Sequence, residues 1–326
     1  MKRIVCLVLA LAVLFTVAVA CAPAPAAKPT EKTIGYIQGG PELWQQSQAD
    51  AAKYAAEKLG YKFIGLNSEY KPEKELSNAE DLIAKKVDAI MMFTVNGETG
   101  QKVAQMANKA NIPLFLIDGM AADGPGKVVT TVQFDFKNIG EAVGQYVSEK
   151  HPNSKMVYIQ GLPGAGIVEA YTDGLTGKIN ELNKGVEIVD MQPADWDRGK
   201  AMNVMQNMIT SGKQFDVAFV NNEDMARGAL KALTDSGMAG KVAIVSTGGS
   251  QDGLDMIKNG DIEATMAASP AYEAAVAMKA VKDYFEGKPV PEKIISPIVV
   301  ITKDNVANAV SWDIDDNILK LAGLTQ

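Results

Sequence analysis

Residues 192–233 read QPADWDRGKAMNVMQNMITSGKQFDVAFVNNEDMARGALKAL. The stretch parses as loop, helix, strand, loop, helix. Asp195, Trp196 and Asp197 sit in a loop that follows an apolar strand. Met202, Met205, Met208 and Ile209 fall on one helical face, which reads as core packing rather than a ligand surface. Residues 215–220 form a short apolar strand, followed by Asn221, Asn222, Glu223 and Asp224; Met225 continues into a second helix. Polar side chains therefore gather just past the carboxyl ends of two strands, where open parallel α/β sheets bind ligands.

The same alternation runs through the rest of the chain. Residues 33–38, 61–66, 88–93 and 113–118 read as apolar strands, with helices at 43–59, 72–86 and 99–110 between them. Pro72 suits the first turn of its helix. Strands apolar on both faces and separated by helices predict a parallel sheet covered on both sides. The pattern restarts with a strand at 127–133 and a helix at 137–149. Strands at 155–160, 186–192, 215–220 and 242–246 follow, then a strand at 262–268, a helix at 270–285 and a strand at 298–301. No fixed-period repeat links the halves; the second unit obeys the same rules as the first. The predicted fold class is α/β, with two Rossmann-like doubly wound parallel-sheet lobes.

Length and composition agree with this. The 326 residues suffice for two domains, and 47% hydrophobic with only 6% aromatic content suits α/β layers better than a β-sandwich. A net charge of −7 argues against a nucleic-acid partner, which demands a basic face. At the N-terminus, Lys2 and Arg3 precede an uncharged apolar run over residues 4–20. This is a targeting segment, set aside from the fold. Its last residues, 18–20 (AVA), precede Cys21. Small residues before a cysteine look like the cleavage box of a bacterial lipoprotein, in which Cys21 bears the lipid. Ala18 stands where a larger aliphatic residue is usual, so an ordinary secretory signal cut nearby stays open. Residues 22–32, rich in Ala, Pro, Lys and Thr, read as a flexible tether. Without Lys2 and Arg3 the charge falls to −9. Cys6 and Cys21 are the only cysteines, both in the targeting region, so the mature body has no internal disulfide. With His151 as the only histidine, a His/Cys metal site and a Ser-His triad are excluded, and neither metal nor cofactor is expected.

Three pieces of the opening stretch carry a family resemblance: residues 192–198 (QPADWDR), 203–207 (NVMQN) and 222–226 (NEDMA). They resemble the ribose-type periplasmic sugar-binding proteins, whose fold (periplasmic binding protein type I) is shared with the effector domain of lactose-type repressors. The likeness extends, more weakly, over residues 33–301. It implies three strands crossing between the lobes, with a hinge near Phe134, Ala268 and Pro297 that closes around a ligand. Carried onto this chain, one lobe covers 33–134 plus 269–297 and the other 135–268 plus 298–326, after a signal segment (1–21) and the tether (22–32). The resemblance further implies the extracytoplasmic solute-binding component of an ABC transporter. Its partners would be a small sugar-like ligand, a permease with its ATPase, and the membrane through the lipid on Cys21; a monomer is expected.

The resemblance places aromatics on both faces of a sugar. Trp44, opening the first helix, and Trp196, in the other lobe, match those positions, since an indole stacks on the apolar face of a sugar ring. Trp44 can equally pack a helix N-terminus, and Trp196 can be a plain loop residue. Asp118, ending a strand, can accept two hydroxyl hydrogen bonds or cap the next turn. Asn222 can donate and accept, or cap the helix that follows it. Gln38, Glu42, Phe136 and Thr247 are weaker ligand-binding candidates, for which structural roles serve as well.

Departures from the family pattern are as informative. The arginine expected after Asp118 is Gly119. A second, expected on the helix after residues 161–166, is missing among Ile167, Val168, Glu169, Ala170 and Tyr171. A carboxylate expected near Gly248 and a glutamine near Ala268 are absent too. Arginine is a strong planar donor to ring and hydroxyl oxygens, so such a pocket lacks much of the polar code for a pyranose. Glu169, if it replaces an arginine, favours an amine or a hydroxyl donor. The expected ligand is therefore less oxygen-rich than ribose, or carries a cationic group; polyols, modified sugars and nucleoside-like molecules fit.

Residues 155–169 (KMVYIQGLPGAGIVE) also invite a dinucleotide reading as strand, glycine loop and helix. Glu169 stands where the third glycine belongs and would repel pyrophosphate, which argues against an enzyme. A repressor is excluded by the targeting segment in the place of a helix-turn-helix. A receptor lipoprotein that reports its ligand to a membrane sensor stays open, because nothing in the sequence separates sensing from uptake. The tail 312–326, with Ile314, Ile318, Leu319 and Leu321, reads as a short helix against the second lobe.

Overall fold

The computed structural model describes residues 31–119, 121–164, 166–309 and 312–325. The signal segment, nearly all of the tether and the lipidation candidate Cys21 lie outside the described residues. In chain order the strands are β1 (Thr33–Gln38), β2 (Lys62–Asn67), β3 (Ala89–Met92), β4 (Leu114–Ile117), β5 (Thr130–Phe134), β6 (Lys155–Gln160), β7 (Glu187–Pro193), β8 (Val217–Val220), β9 (Ala243–Gly248), β10 (Ala264–Ala267), β11 (Lys293–Ser296) and β12 (Val299–Thr302). The helices are α1 (Leu43–Lys58), α2 (Pro72–Ala84), α3 (Gly97–Lys109), α4 (Phe136–Lys150), α5 (Ile167–Leu182), α6 (Arg198–Thr210), α7 (Glu223–Asp235), α8 (Gln251–Asn259), α9 (Pro270–Phe285) and α10 (Asp316–Leu321).

Two six-stranded sheets result, in the orders β11-β5-β4-β3-β1-β2 and β12-β10-β9-β8-β6-β7. Neighbouring strands pair in parallel, except that β12 runs antiparallel to β10. Side chains alternate across each strand, so each sheet buries both of its faces. Met91 and Phe115 face α1 and α9, whereas Ile90 and Leu114 face α2 and α3. In the second sheet Val157 and Ala218 face α6 and α7, whereas Tyr158 and Phe219 face α4 and α5. Each large apolar side chain buried this way contributes about 1.5–3 kcal/mol. Met205 and Met208 are buried in the α6–α7 cluster and Met202 packs against it, as their helical spacing implies.

The helices start where the strands end, and side-chain caps hold them there. Asn96, Asp135, Asn222 and Ser250 accept from the N–H groups of Thr99, Asn138, Met225 and Gly253 at 3.0, 3.1, 2.7 and 3.0 Å. Each such cap stabilises by about 1 kcal/mol. Together they pin the N-termini of α3, α4, α7 and α8 beside the carboxyl ends of the sheets. The close crossing of α4 and α5 depends on Gly174, where a Cβ would lie 1.9 Å from the Lys137 carbonyl oxygen.

The chain passes between the sheets at β5–α4, at β10–α9 and at β11–β12. β11 has no counterpart in the sequence pattern. Its four residues lie between Pro291 and Pro297 and pair with β5 at the sheet edge. The tail returns once more, and here the sequence expectation is corrected. α10 forms, but Ile318, Leu319 and Leu324 bury in the cluster of α1 and α9, on the first lobe rather than the second. The alanine-rich surfaces of α1 and α9 leave room there for these branched side chains. Lys58 Nζ and Tyr54 OH both meet Asp316 Oδ1 at 2.7 Å from the same side. Leu321, counted with the apolar face, is 51% exposed.

Candidate ligand-binding cleft

Residues at the carboxyl ends of strands from both sheets line one cavity of about 340 Å³. That is within the range of small-molecule sites. The first sheet brings Phe93, Asp118 and Phe134, with Glu42 and Trp44 from the start of α1. The second brings Asn221, Asn222, Thr247 and Ala268, with Trp196 from the β7–α6 loop and Phe136, Ile167 and Tyr171 from α4 and α5.

Of the residues singled out from sequence, Trp44, Asp118, Trp196, Asn222, Glu42, Phe136 and Thr247 line the cavity. Two do not. Glu169 is exposed, and its Oε1 accepts the Gly164 N–H at 2.8 Å, closing its own loop. The helical period explains this. Ile167 and Tyr171, four residues apart, face the cavity, which turns the residue midway between them outward. Gln38 is buried, and its Nε2 donates to the Gly40 carbonyl at 2.6 Å, holding the turn after β1 instead of lining the cavity.

Trp44 stands edge-on to Phe93 with ring centroids 6.5 Å apart, and it packs against the second sheet's α4–α5 cluster. It therefore bridges the two halves. Trp196 adopts a left-handed backbone (φ 63°), as does Asp195 (φ 52°), while Asp197 caps α6 through the Lys200 N–H at 2.7 Å. The indole lies over Gly161, which accordingly serves as its seat and not as a dinucleotide turn. Asn221 Oδ1 accepts from Tyr158 OH at 3.1 Å and from the Gly161 N–H at 2.8 Å; its Nδ2 is buried without a partner. Thr247 Oγ1 donates to the Asn221 carbonyl at 2.5 Å.

Asp118 follows directly after β4 in a left-handed conformation (φ 53°). Its Oδ1 accepts the Phe134 N–H at 3.1 Å; its Oδ2 has no hydrogen-bond partner at normal distance among the described residues, although the Gln48 amide lies near enough to favour the charged form. Behind it stands Glu273 of α9, fully buried. Glu273 Oε2 accepts from Gln48 Nε2 at 2.8 Å, and Gln48 Oε1 accepts from Tyr36 OH at 2.8 Å. Because Oε2 already takes a donor, the proton of neutral Glu273 belongs on Oε1, the oxygen free to hydrogen-bond Asp118. Burial, then the Asp118 charge, pushes the Glu273 carboxyl well above the usual range. Burial raises Asp118 to about 6, against the hydrogen bond from Glu273. Near neutral pH the two carboxyls thus carry one negative charge between them.

The departures from the family pattern have steric reasons. A Cβ on Gly119 would lie 2.7 Å from both the backbone N and the Cγ2 of Thr94, so no arginine fits there. Next to Gly248, the space for a carboxylate is taken by Glu223 from α7. Glu223 Oε1 accepts from the Gly249 N–H at 2.6 Å and Thr265 Oγ1 at 2.7 Å; Oε2 accepts from the Ser250 N–H at 2.8 Å and Ser250 Oγ at 2.5 Å.

Sequence reading missed Tyr70, Phe93 and, above all, Trp312 as cavity residues. Trp312 Nε1 donates to the Gly248 carbonyl at 2.9 Å. No motif marks it. The available signal was rarity, since all three tryptophans of the chain line this one cavity.

A family model for the periplasmic binding protein domain matches residues 34–289. The chain belongs to the periplasmic binding protein family. Among its relatives, this periplasmic binding protein is 30% identical over 260 residues to the ribose import binding protein RbsB of Salmonella typhimurium, covering 79% of this chain and 86% of that one. To RbsB of Bacillus subtilis it is 29% identical over 311 residues, 93% of this chain and 100% of that one. Among solved structures it resembles the periplasmic binding protein of the arabinose ABC transporter from Shewanella sp. ANA-3, bound to α- and β-L-arabinofuranose. The TM-score is 0.79 at 26% identity, covering 85% of this chain and 93% of that one. The architecture is that of the type I fold, and the family is one of solute-binding proteins rather than enzymes. The family match ends before β11, so Trp312 and α10 lie beyond it.

Proposed function

We infer that this periplasmic binding protein is the extracytoplasmic solute-binding component of an ABC transporter, holding a sugar or sugar-like molecule between two lobes. One observation carries the reading: Trp44 and Asp118 from the first sheet and Trp196 and Asn222 from the second line the same cavity. Neither lobe holds a complete ligand shell, so a ligand stabilises the closed arrangement over the open one. A membrane permease with its ATPase then recognises that closed form. The relatives named for ribose import and the arabinofuranose-bound neighbour support a small carbohydrate as the ligand class. Polyols, modified sugars and nucleoside-like molecules of that size belong to the same class of candidates.

In this reading the first lobe comprises residues 33–134 and 269–297, with the tail docked on it, and the second 135–268 with β12. A lipid on Cys21 tethers the monomer to the outer face of the membrane through residues 22–32. Cys21→Ser should move the protein from the membrane fraction to the soluble fraction; unchanged retention rejects the anchor. The central test is calorimetric titration with pentoses, hexoses, polyols and nucleosides. Saturable one-to-one binding that is lost in Trp196→Ala and in Asp118→Asn supports the cleft. Binding that survives both substitutions rejects it.

A further inference from the structure

We propose that the ligand of this cleft is an organic cation, an amine or quaternary ammonium that also carries a hydroxyl or carbonyl oxygen, held by indole faces against Asp118. The proposal rests on the cleft being the ligand site.

Charge composition is the first observation. Among the described residues the cavity lining contains no Lys, Arg or His, yet it contains Glu42, Asp118, Glu223, Asp224 and Asp252. Three of these acids are answered within the protein. Glu223 is saturated by the donors of Gly249, Ser250 and Thr265. Asp224 accepts from Arg198 Nε at 2.9 Å, and Asp252 meets Arg227 at 2.9 Å. Glu42 stands at the N-cap of α1, where the helix end favours a negative charge, but it makes no side-chain cap bond, its Oε2 is buried without a partner among the described residues, and burial pushes its carboxyl up.

Asp118, too, lacks a cationic partner among the described cavity residues. It is 5% exposed, it shares one proton with Glu273, and the remaining negative charge has no cationic side chain in the cavity lining. A buried charge without a counter-charge is strongly unfavourable, and closing the cleft worsens it. A cationic ligand supplies the missing charge from outside. Glu273, held neutral between Gln48 and Asp118, keeps the charge at the cavity side of the pair.

The walls fit the same chemistry. Trp44, Trp196 and Trp312 all line the cavity, and indole is the best aromatic surface for a cation. Across from Asp118, in the second lobe, Asn221 is 1% exposed and its Nδ2 has no partner. That donor asks for one oxygen acceptor on the ligand. A hydroxylated amine satisfies the carboxylate, the indoles and the amide together, whereas a plain pentose leaves the Asp118 charge unbalanced.

The test compares isosteres on the full-length wild-type chain by titration calorimetry: choline against 3,3-dimethyl-1-butanol, and D-glucosamine against D-glucose, at pH 7.5. The expected result is binding of at least one cation about tenfold or more tighter than its neutral partner. Asp118→Asn should erase that preference, and Trp196→Ala should weaken the cation by a similar factor. The wild-type comparison needs no variant, so it stands even if Asp118→Asn fails to fold. Equal or tighter binding of the neutral members, or no binding of either cation, overturns the proposal. If a neutral sugar binds and its binding requires Trp196 and Asp118, the cleft reading survives and only the charge inference falls. A cation whose binding ignores both substitutions overturns both.

Discussion

The indole of Trp196 occupies the space that a side chain on Gly161 would need: an ideal Cβ there lies 2.2 Å from Cζ2 of the ring. The Gly161 N–H also donates to Asn221 Oδ1, so one residue sets both an aromatic wall and a polar group of the cleft. Gly161→Ala should therefore displace the indole without breaking either sheet. The expected loss is about 1–3 kcal/mol of stability, the range for overpacking, together with weakened ligand binding and altered tryptophan fluorescence. Unchanged fluorescence and affinity would show that the ring has another place to go.

The proton shared by Asp118 and Glu273 predicts a direction for stability against pH. A folded-state pKa raised above the unfolded value stabilises fully below the unfolded pKa, and that contribution is lost as pH rises through the folded value. For Asp118 the window closes at about 6. Glu75 and Glu223, also raised by burial, act in the same direction. The carboxylates held down by lysine partners, Glu69, Asp190, Asp255, Glu286 and Asp316, titrate below this window. Ligand-free protein should melt several degrees higher at pH 5 than at pH 7.5, with about 2–4 °C per kcal/mol. A melting temperature that climbs over that range contradicts the shared proton.

Glu273→Gln and Glu273→Ala should behave differently. Glutamine keeps a donor toward Asp118 and an acceptor toward Gln48, so it should be near neutral and should flatten the pH dependence. Alanine strips both contacts from buried partners, at about 2–4 kcal/mol. Denaturant midpoints of the two variants at pH 7 measure the difference directly.

Trp312 and α10 separate binding from stability within one tail. Leu319 is fully buried against the first lobe, and Leu319→Ala should destabilise by about 2–5 kcal/mol. Trp312→Ala removes a cavity wall and the bond to the Gly248 carbonyl, so it should weaken ligand binding severalfold with a smaller stability change. Equal effects of the two on affinity would deny Trp312 a place in the site.

Glu169→Ala should change affinity by less than about twofold, since exposed substitutions away from a site are usually near neutral. Asp118→Asn, by contrast, should reduce it by about tenfold or more. Titration of both variants with the same solute decides between an outward and an inward Glu169.

Much of this architecture is legible in one dimension. Period-2 and period-3.6 apolarity are local properties, and so are caps such as Asn222 and Ser250; they name the bounded strands and helices to within about three residues. The grouping of polar residues after β7 and β8 follows from the same pattern, which is why Asn222 can be found by reading, while Asp118 stands out as the polar end of an apolar strand. Glu169 misled because position in a family motif does not state helical phase; its neighbours Ile167 and Tyr171 face inward and it does not. β11 and the docking side of α10 misled because a four-residue edge strand and a six-residue helix carry too little pattern to choose a partner.

By itself the sequence determined the α/β alternation, two units built alike, and the apolar faces that had to be buried, because each depends on neighbours a few residues away. Tertiary structure alone decided which distant groups meet. Gln48 reaches Glu273 across 225 residues and Trp312 reaches the Gly248 carbonyl across 64. Parallel sheets bring such residues together at the carboxyl ends of their strands. There burial, not residue type, decides which carboxyl keeps its proton and which carries the charge.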